Sequence, residues 1–144
     1  MAAGGFHRRR SFLRTEEVWA LAERRTVDGR RFFVLPEEWH LLHGLLHHQV
    51  SDRCHVRRSL ALAALWEFAM LGSEIGEDAW RAIAAHMHAR GGLEILSSCL
   101  LQARALFGLE PPGCIEISEQ ARAHCDATLQ RAIWPNWLPL PQFM

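Results

Sequence analysis

Three clusters of arginine in the first 58 residues carry the clearest chemistry in this sequence. They comprise Arg8, Arg9, Arg10 and Arg14, then Arg24, Arg25, Arg30 and Arg31, then Arg53, Arg57 and Arg58. All 16 basic residues of the chain are arginine. A guanidinium is a planar group with five N–H donors, which suits phosphate and carboxylate oxygens. Gathered on one face, these arginines would bind the phosphates of a nucleic acid.

The charge balance of the chain confines such binding to one region. The 16 basic and 16 acidic residues give a formal net charge of +0, but residues 1–31 hold eight arginines and four acids. This balance excludes a strongly polybasic nucleic-acid binder and an acidic tail. We therefore expect phosphate contacts that are local and modest, or made within a larger assembly. The alternative is a solvated surface on which the arginines pair with nearby acids.

Histidine is the second residue type able to do chemistry, with nine in 144 residues. His43 and His47 have the i, i+4 spacing that places two metal ligands on one helix face, and His40 lies one turn earlier. No signature spacing of a zinc site completes the set, so the sequence assigns no metal ligand and no cofactor. A solvated or half-buried histidine face is the simpler interpretation, and its imidazoles would change charge at about pH 6 to 7.

Recognisable catalytic motifs are missing from the sequence. It contains no G-x-S-x-G, no glycine-rich phosphate loop and no cysteine flanked as in a known nucleophile family. We therefore predict a protein that is not an enzyme. Its four cysteines form no C-x-x-C pair, which favours reduced thiols and a cytoplasmic location. The longest apolar run, residues 60–71, is shorter than the roughly 20 residues of a membrane span, so we expect no membrane partner.

The elements that must position these residues are predicted to be mainly helices. Capping residues, apolar stripes and Gly or Pro stops predict about six of them. They cover about residues 15–25, 36–47, 53–71, 74–90, 93–107 and 119–133. The third is apolar almost all round from Leu60 and should be the most buried. The Asp28-Gly29 turn predicts a short β-hairpin or extended segment near residues 26–35, and residues 114–117 a short strand.

These elements predict a mainly α, single-domain bundle with two unlike ends. Residues 1–13 are expected to form a flexible basic arm, residues 14–133 the helical domain, and residues 134–144 an extended tail. The tail, WPNWLPLPQFM, is rich in Pro and Trp. It is too apolar to remain in water, so it either straps across the body or binds a protein partner.

A stretch around the second helix has a family resemblance. Residues 28–66 read DGRRFFVLPEEWHLLHGLLHHQVSDRCHVRRSLALAALW. With its DGR turn, Pro36, paired leucines and terminal Leu65-Trp66, this segment resembles the start of the winged-helix effector domain of bacterial response regulators. That family binds DNA through a recognition helix and a β-hairpin wing. The resemblance implies that residues 78–92 form the recognition segment and direct toward DNA Arg81, His86, His88 and Arg90.

A second resemblance covers residues 45–100. VRRSLALAALWEFA is similar to the long third helix of an armadillo-type repeat, and DAWRAIAAHMHARGGLEILSSCL is similar to the first and second helices of the next one. Such repeats bind extended peptides and have no catalytic activity.

The leading hypothesis is a non-enzymatic nucleic-acid-binding protein. It would act as a small helix-turn-helix-like regulator or as a small helical subunit of a nucleoprotein complex. Its predicted phosphate contacts are Arg8, Arg9, Arg10, Arg14, Arg30, Arg31, Arg53, Arg57 and Arg58. The second hypothesis is a protein–protein adaptor that uses helical grooves and residues 134–144, and the third is a helical metal-binding protein.

Overall fold

Helices account for most of the chain between residues 11 and 133, the range that the computed structural model describes. The elements there are α1 (Thr15–Leu21), β1 (Glu23–Val27), β2 (Arg30–Val34), α2 (Glu37–Leu46), a π-helical turn (His47–Ser51), α3 (Cys54–Arg57), α4 (Leu62–Glu74), α5 (Glu77–Ala89), α6 (Leu93–Phe107) and α7 (Glu119–Ile133). They confirm the predicted mainly α, single-domain fold with a short hairpin. Within this part of the chain, no helix combines the length and apolar character needed to cross a bilayer.

The core is built from the inward faces of α2, α4, α5 and α6. Its most buried apolar side chains, each at most 2 % exposed, include Leu41, Leu42, Leu45, Leu65, Ile83, Met87, Leu96 and Leu100. The prediction that the third helix is the most buried is wrong. Seven of the 15 residues of α6 are buried, against four of the 13 residues of α4. Because α4 packs through one face only, its other apolar face remains in water.

The predicted third helix, residues 53–71, is two helices in the structure. Arg58 has a φ of 52°, in the left-handed region. Its N–H donates to the carbonyl of His55 at 3.3 Å, and the N–H of Ser59 donates to that of Cys54 at 3.0 Å. This pair of hydrogen bonds is a Schellman motif, which ends α3 at Arg57. Glycine is the usual residue at such a position, so an arginine there gives no stop signal in the sequence.

The first helix is shorter, and the hairpin longer, than the sequence predicts. The predicted helix 15–25 ends at Leu21 because Ala22 is extended, with a ψ of 136°. Arg24 and Arg25 instead lie in β1, directly opposite Phe33 and Phe32 of β2. Cross-strand pairing with aromatic residues favours this arrangement over helix. Asp28 and Gly29 have φ angles of 49° and 74°, and positive φ at both positions is typical of the type I′ turn that closes a tight hairpin.

The prediction that residues 114–117 form a strand is wrong, because the link between α6 and α7 forms a turn at residues 113–114 and then irregular backbone. The N–H of Ile115 donates to the carbonyl of Pro112 at 3.1 Å, which closes a turn. Ile115 is buried, so the link lies against the core. Ser118 then accepts a hydrogen bond from the N–H of Ala121 at 3.1 Å, which confirms it as the cap of the last helix.

The segment before α1 is fixed in the core by Phe12. Phe12 is 8 % exposed and lies over Gly92, where a Cβ atom would come within 2.7 Å of the Phe12 ring and of the Met87 methyl group. His86 donates a hydrogen bond from Nε2 to the carbonyl of Phe12 at 2.6 Å. Phe12 and Leu13, which the sequence assigns to the arm, therefore belong to the body. Residues 1–10 of that arm and the tail 134–144 lie outside the described residues.

We predict that Gly92→Ala destabilises the fold by about 1–3 kcal/mol, because the added methyl group would overlap with the Phe12 ring and the Met87 methyl group. Gly92 has a φ of −107°, so alanine meets no backbone strain there and the effect isolates the contact. Urea unfolding measures the change. The control is Gly113→Ala, where nothing lies within 4 Å of the new Cβ, and its stability should be unchanged or slightly higher. Equal stability of Gly92→Ala and the natural chain would contradict the close approach.

Candidate functional site

The β1–β2 hairpin presents the second arginine cluster on a ribbon that the body leaves exposed on both faces. All ten strand residues are exposed. Phe32 and Phe33 are 47 % and 59 % exposed, although each is a large apolar side chain. A hairpin that only completed a core would bury one of its faces. Exposed rings among arginines therefore mark the hairpin as a candidate binding surface.

Trp19 of α1 contacts the hairpin near its base. Its ring lies edge-on to that of Phe33, with centroids 5.8 Å apart and an interplanar angle of 78°. The guanidinium carbon of Arg24 lies 5.9 Å from the centroid of the same ring. Trp19 remains 63 % exposed, so this group of two rings and one cation forms part of the surface.

Carboxylates neutralise some of the hairpin arginines and leave others to solvent. Arg25 donates a hydrogen bond to Glu23 at 3.1 Å. Among residues 11–133, no carboxylate oxygen lies within 4.0 Å of the guanidinium of Arg30 or Arg31. These two arginines follow the turn directly and are free to meet an external anion.

The first arginine cluster is described only at Arg14, which caps α1. Its guanidinium lies 3.7 Å from Glu17, and its backbone N–H donates to the same carboxylate at 2.7 Å. Arg90 also donates a hydrogen bond to Glu17. The backbone hydrogen bond from Arg14, together with the two guanidinium charges, lowers the pKa of Glu17. Outside the described residues lie Arg8, Arg9 and Arg10.

The third arginine cluster lies around α3. Arg53 and Arg58 flank this short helix with left-handed φ angles of 61° and 52°, and Arg57 is its last residue. All three are exposed, and no carboxylate of the described chain lies within 4.0 Å of them. The hydrogen bonds, ion pairs and ring contacts of residues 11–133 do not join this cluster to the hairpin. The structure thus places Arg30 and Arg31 on the two faces of the ribbon and Arg53, Arg57 and Arg58 around α3, and a single patch stays a prediction.

The predicted histidine face lies along a groove of about 570 Å³ between α2 and α4. His40 Nε2 is 3.8 Å from a Glu67 oxygen, and His47 Nε2 is 3.7 Å from an Asp52 oxygen. These are two separate pairs. In the part of the chain that the structure describes, no three His, Cys, Asp or Glu side chains are arranged to hold a metal ion. His43 and His47 therefore have no third ligand there.

A half-buried histidine pair that sequence reasoning missed joins α3, α6 and α7. His55 and His124 stack with ring centroids 3.8 Å apart and an angle of 7° between the rings. His124 Nε2 donates to the carbonyl of His55 at 2.8 Å, so its Nδ1 accepts from the Ser98 hydroxyl, also at 2.8 Å. Ser98 is 0 % exposed. Because no substrate reaches this hydroxyl, the serine–histidine pair serves packing and not nucleophilic catalysis.

The two most buried thiols are also unsuited to chemistry. Burial raises the pKa of Cys99, and it raises that of Cys125 to about 11. Both thiols therefore stay protonated, and a protonated thiol is a poor nucleophile and metal ligand. All four cysteines of the chain are free.

An exposed apolar stripe runs along the outer face of α4. Leu62, Trp66 and Met70 lie four residues apart on this face and are about half exposed. Trp66 and Met70, together with Phe107 of α6, line a groove of about 450 Å³. A surface of this kind is what the adaptor hypothesis requires. The tail proposed for the same role, residues 134–144, lies outside the described residues.

Comparisons with known proteins identify no relative of this chain. No protein-family model matches the chain, and neither the curated proteins nor the solved structures provide a match. The winged-helix and armadillo resemblances therefore stay predictions. In α5, the body itself engages residues that the winged-helix resemblance directs toward DNA: His86 bonds to Phe12, and Arg90 bonds to Glu17.

We predict that acid weakens the fold through His55. Burial, followed by the electrostatic effect of the neighbouring His124 and Arg58, lowers the pKa of His55 from 6.5 to about 4. The stability contributed by the neutral ring is full above pH 6.5 and is lost as the pH falls through about 4. The full shift corresponds to roughly 3 kcal/mol. Urea unfolding across this pH range measures the loss.

The matched variants are His55→Gln, which removes the half-buried ring whose pKa is lowered, and His88→Gln, which removes an exposed imidazole on α5. The first should flatten the fall in unfolding free energy between about pH 6.5 and pH 4, and the second should leave it unchanged. An identical fall in both variants would show that His55 is not the group responsible.

Proposed function

We propose that this protein binds nucleic acid through its β1–β2 hairpin and has no enzymatic activity. One observation carries the proposal: both faces of the ribbon are exposed. Two large apolar side chains, Phe32 and Phe33, therefore lie in solvent among four arginines. Phosphates supply the anions that unpaired guanidinium groups lack. Nucleobases supply flat apolar surface for exposed rings.

The size and charge of the hairpin suit this role. A two-stranded ribbon is narrow enough to enter the major groove of a duplex, and its rings are also accessible to the bases of a single strand. Residues 23–34 hold four arginines against two acids, whereas the whole chain is neutral. Binding by the isolated protein should therefore be modest and sensitive to salt. This supports a role as a small subunit of a larger nucleoprotein assembly.

Within the proposal, Arg30 and Arg31 make the first phosphate contacts because no described carboxylate neutralises them. The exposed cluster of Arg53, Arg57 and Arg58 supplies a second group of contacts. The remaining proposed contacts come from the N-terminal segment: Arg8, Arg9, Arg10 and Arg14. The proposed location is the cytoplasm, where four free cysteines stay reduced.

The absence of catalysis in the proposal is supported by the environment of the reactive groups. The Ser98 hydroxyl and the Cys99 thiol are both fully enclosed in the core. The exposed arginines offer charge and hydrogen bonds, which are sufficient to bind a polyanion.

We predict that the double variant Arg30→Ala/Arg31→Ala weakens nucleic-acid binding and lowers its salt dependence. Removing two phosphate contacts should reduce the slope of log affinity against log salt by about 1.4 for a single strand and about 1.8 for a duplex. Fluorescence anisotropy with a labelled oligonucleotide across a salt series measures both effects. The natural protein should also be retained on heparin at low salt.

The charge-matched control is Arg81→Ala/Arg122→Ala. Arg81 and Arg122 are exposed and lie 2.8 Å and 3.9 Å from glutamates of their own helices, α5 and α7. This variant loses the same formal charge but should keep the natural affinity and slope. Equal losses in the two variants would point to net charge alone. Flow-through of the natural protein on heparin at low salt, with no oligonucleotide binding, would end the proposal.

A further inference from the structure

The register of the hairpin sorts its side chains into two faces, each of which carries two arginines and one phenylalanine. Opposed residues share a face, and faces alternate along each strand. One face, the Phe33 face, carries Arg24, Thr26, Arg31 and Phe33. The other, the Phe32 face, carries Glu23, Arg25, Val27, Arg30, Phe32 and Val34. Each phenylalanine therefore lies directly opposite one arginine and two residues beyond another.

The spacing on the Phe32 face places two arginines next to the ring, one across the ribbon and one along the same strand. Arg25 is the cross-strand partner of Phe32, and such partners have Cβ atoms about 5 Å apart. Arg30 lies two residues before Phe32 in the same strand, a separation of about 7 Å. In the unbound protein, Arg25 donates a hydrogen bond to Glu23 at 3.1 Å. A bound phosphate would replace this carboxylate as the acceptor.

The two faces differ in what already covers their rings. Phe33 is contacted by the Trp19 ring and by the guanidinium of Arg24. Phe32 has no ring or guanidinium stacked on it among residues 11–133. Val27 and Val34 lie on the same face and are 57 % and 39 % exposed. The Phe32 face thus offers an uncovered ring and two exposed valines beside two arginines, one of which is paired with Glu23.

We infer that the Phe32 face binds single-stranded nucleic acid, with a base stacked on Phe32 and phosphates held by Arg25 and Arg30. This inference rests on the proposed function and names the ligand class for the same hairpin. Unpaired bases offer the π-faces that an exposed phenylalanine needs, and every base has one. The guanidinium groups beside the ring reach the backbone on either side of the stacked base.

A duplex would leave much of this face unused. Its bases cover one another and show only their edges in the grooves, where a phenylalanine ring or a valine meets little apolar surface except the thymine methyl group. The apolar side chains of this face, Val27, Phe32 and Val34, would lose more exposed surface against splayed bases than against base-pair edges. A single strand therefore offers a partner to both the apolar side chains and the arginines of the Phe32 face.

The tip of the hairpin argues against a lipid surface as the ligand. A ribbon that enters a bilayer needs apolar residues at its end. Here the turn is Asp28-Gly29, followed by Arg30 and Arg31, and the phenylalanines lie nearer the body. Insertion would carry a carboxylate into the apolar layer first.

The test compares the natural protein with Phe32→Ile, which keeps an apolar, strand-forming side chain and removes the flat ring. Binding is measured by anisotropy with three probes: a single strand of about 16 nucleotides, the blunt duplex of the same sequence, and an abasic strand of the same length. The natural protein should bind the single strand at least about tenfold more tightly than the duplex. Phe32→Ile should lower single-strand affinity by about 5- to 100-fold and leave affinity for the duplex and the abasic strand unchanged.

The matched control is Phe107→Ile, which changes a similarly exposed phenylalanine, 40 % against 47 %, at the end of α6. It should bind the single strand as the natural protein does, and circular dichroism checks that both variants fold. Duplex binding as tight as single-strand binding, or an unchanged affinity in Phe32→Ile, would overturn the stacking inference. The proposed function would still stand if Arg30→Ala/Arg31→Ala weakened nucleic-acid binding. Binding to phosphatidylglycerol vesicles with no binding to any oligonucleotide would overturn both.

Discussion

The position of the hairpin depends on how α1 is fixed to the body. Just before α1, the Phe12 ring packs against Gly92 in a space that exists only because Gly92 lacks a side chain. The carbonyl of Phe12 accepts a hydrogen bond from His86, and Arg90 binds Glu17 in the first turn of α1. Trp19, near the other end of the same helix, contacts the base of the ribbon. A helix of seven residues, about 10 Å long, thus connects a core contact to an exposed surface.

Local signals in the sequence predicted much of this architecture. The Asp28-Gly29 pair predicted the turn of the hairpin because few other dipeptides adopt two successive positive φ angles. The left-handed φ angles of Gly91 and Gly108, 69° and 74°, confirm the predicted ends of α5 and α6. Ser118 caps α7 as predicted. Each of these features is decided by one or two residues and their own backbone, which is why the local sequence was sufficient to predict them.

Features that depend on tertiary contacts could not be predicted in the same way. Arg24 and Arg25 have high helix propensity, and only their pairing with Phe33 and Phe32 places them in a strand. The arginine clusters were visible in the sequence, but the sequence does not determine whether they converge. His55 and His124 are 69 residues apart, and no periodic pattern links two positions at that separation. The π-helical turn after α2 likewise has no sequence signature that we recognise.

The small size of the sheet has a consequence for how copies of the protein behave toward one another. A two-stranded ribbon has no interior, so β1 and β2 each carry an outer row of backbone groups open to pairing with another chain. Four arginines on these strands oppose such pairing through like-charge repulsion. A bound polyanion would cancel part of that repulsion. The colloidal stability of the free protein and the proposed binding to an anionic chain therefore depend on the same guanidinium groups.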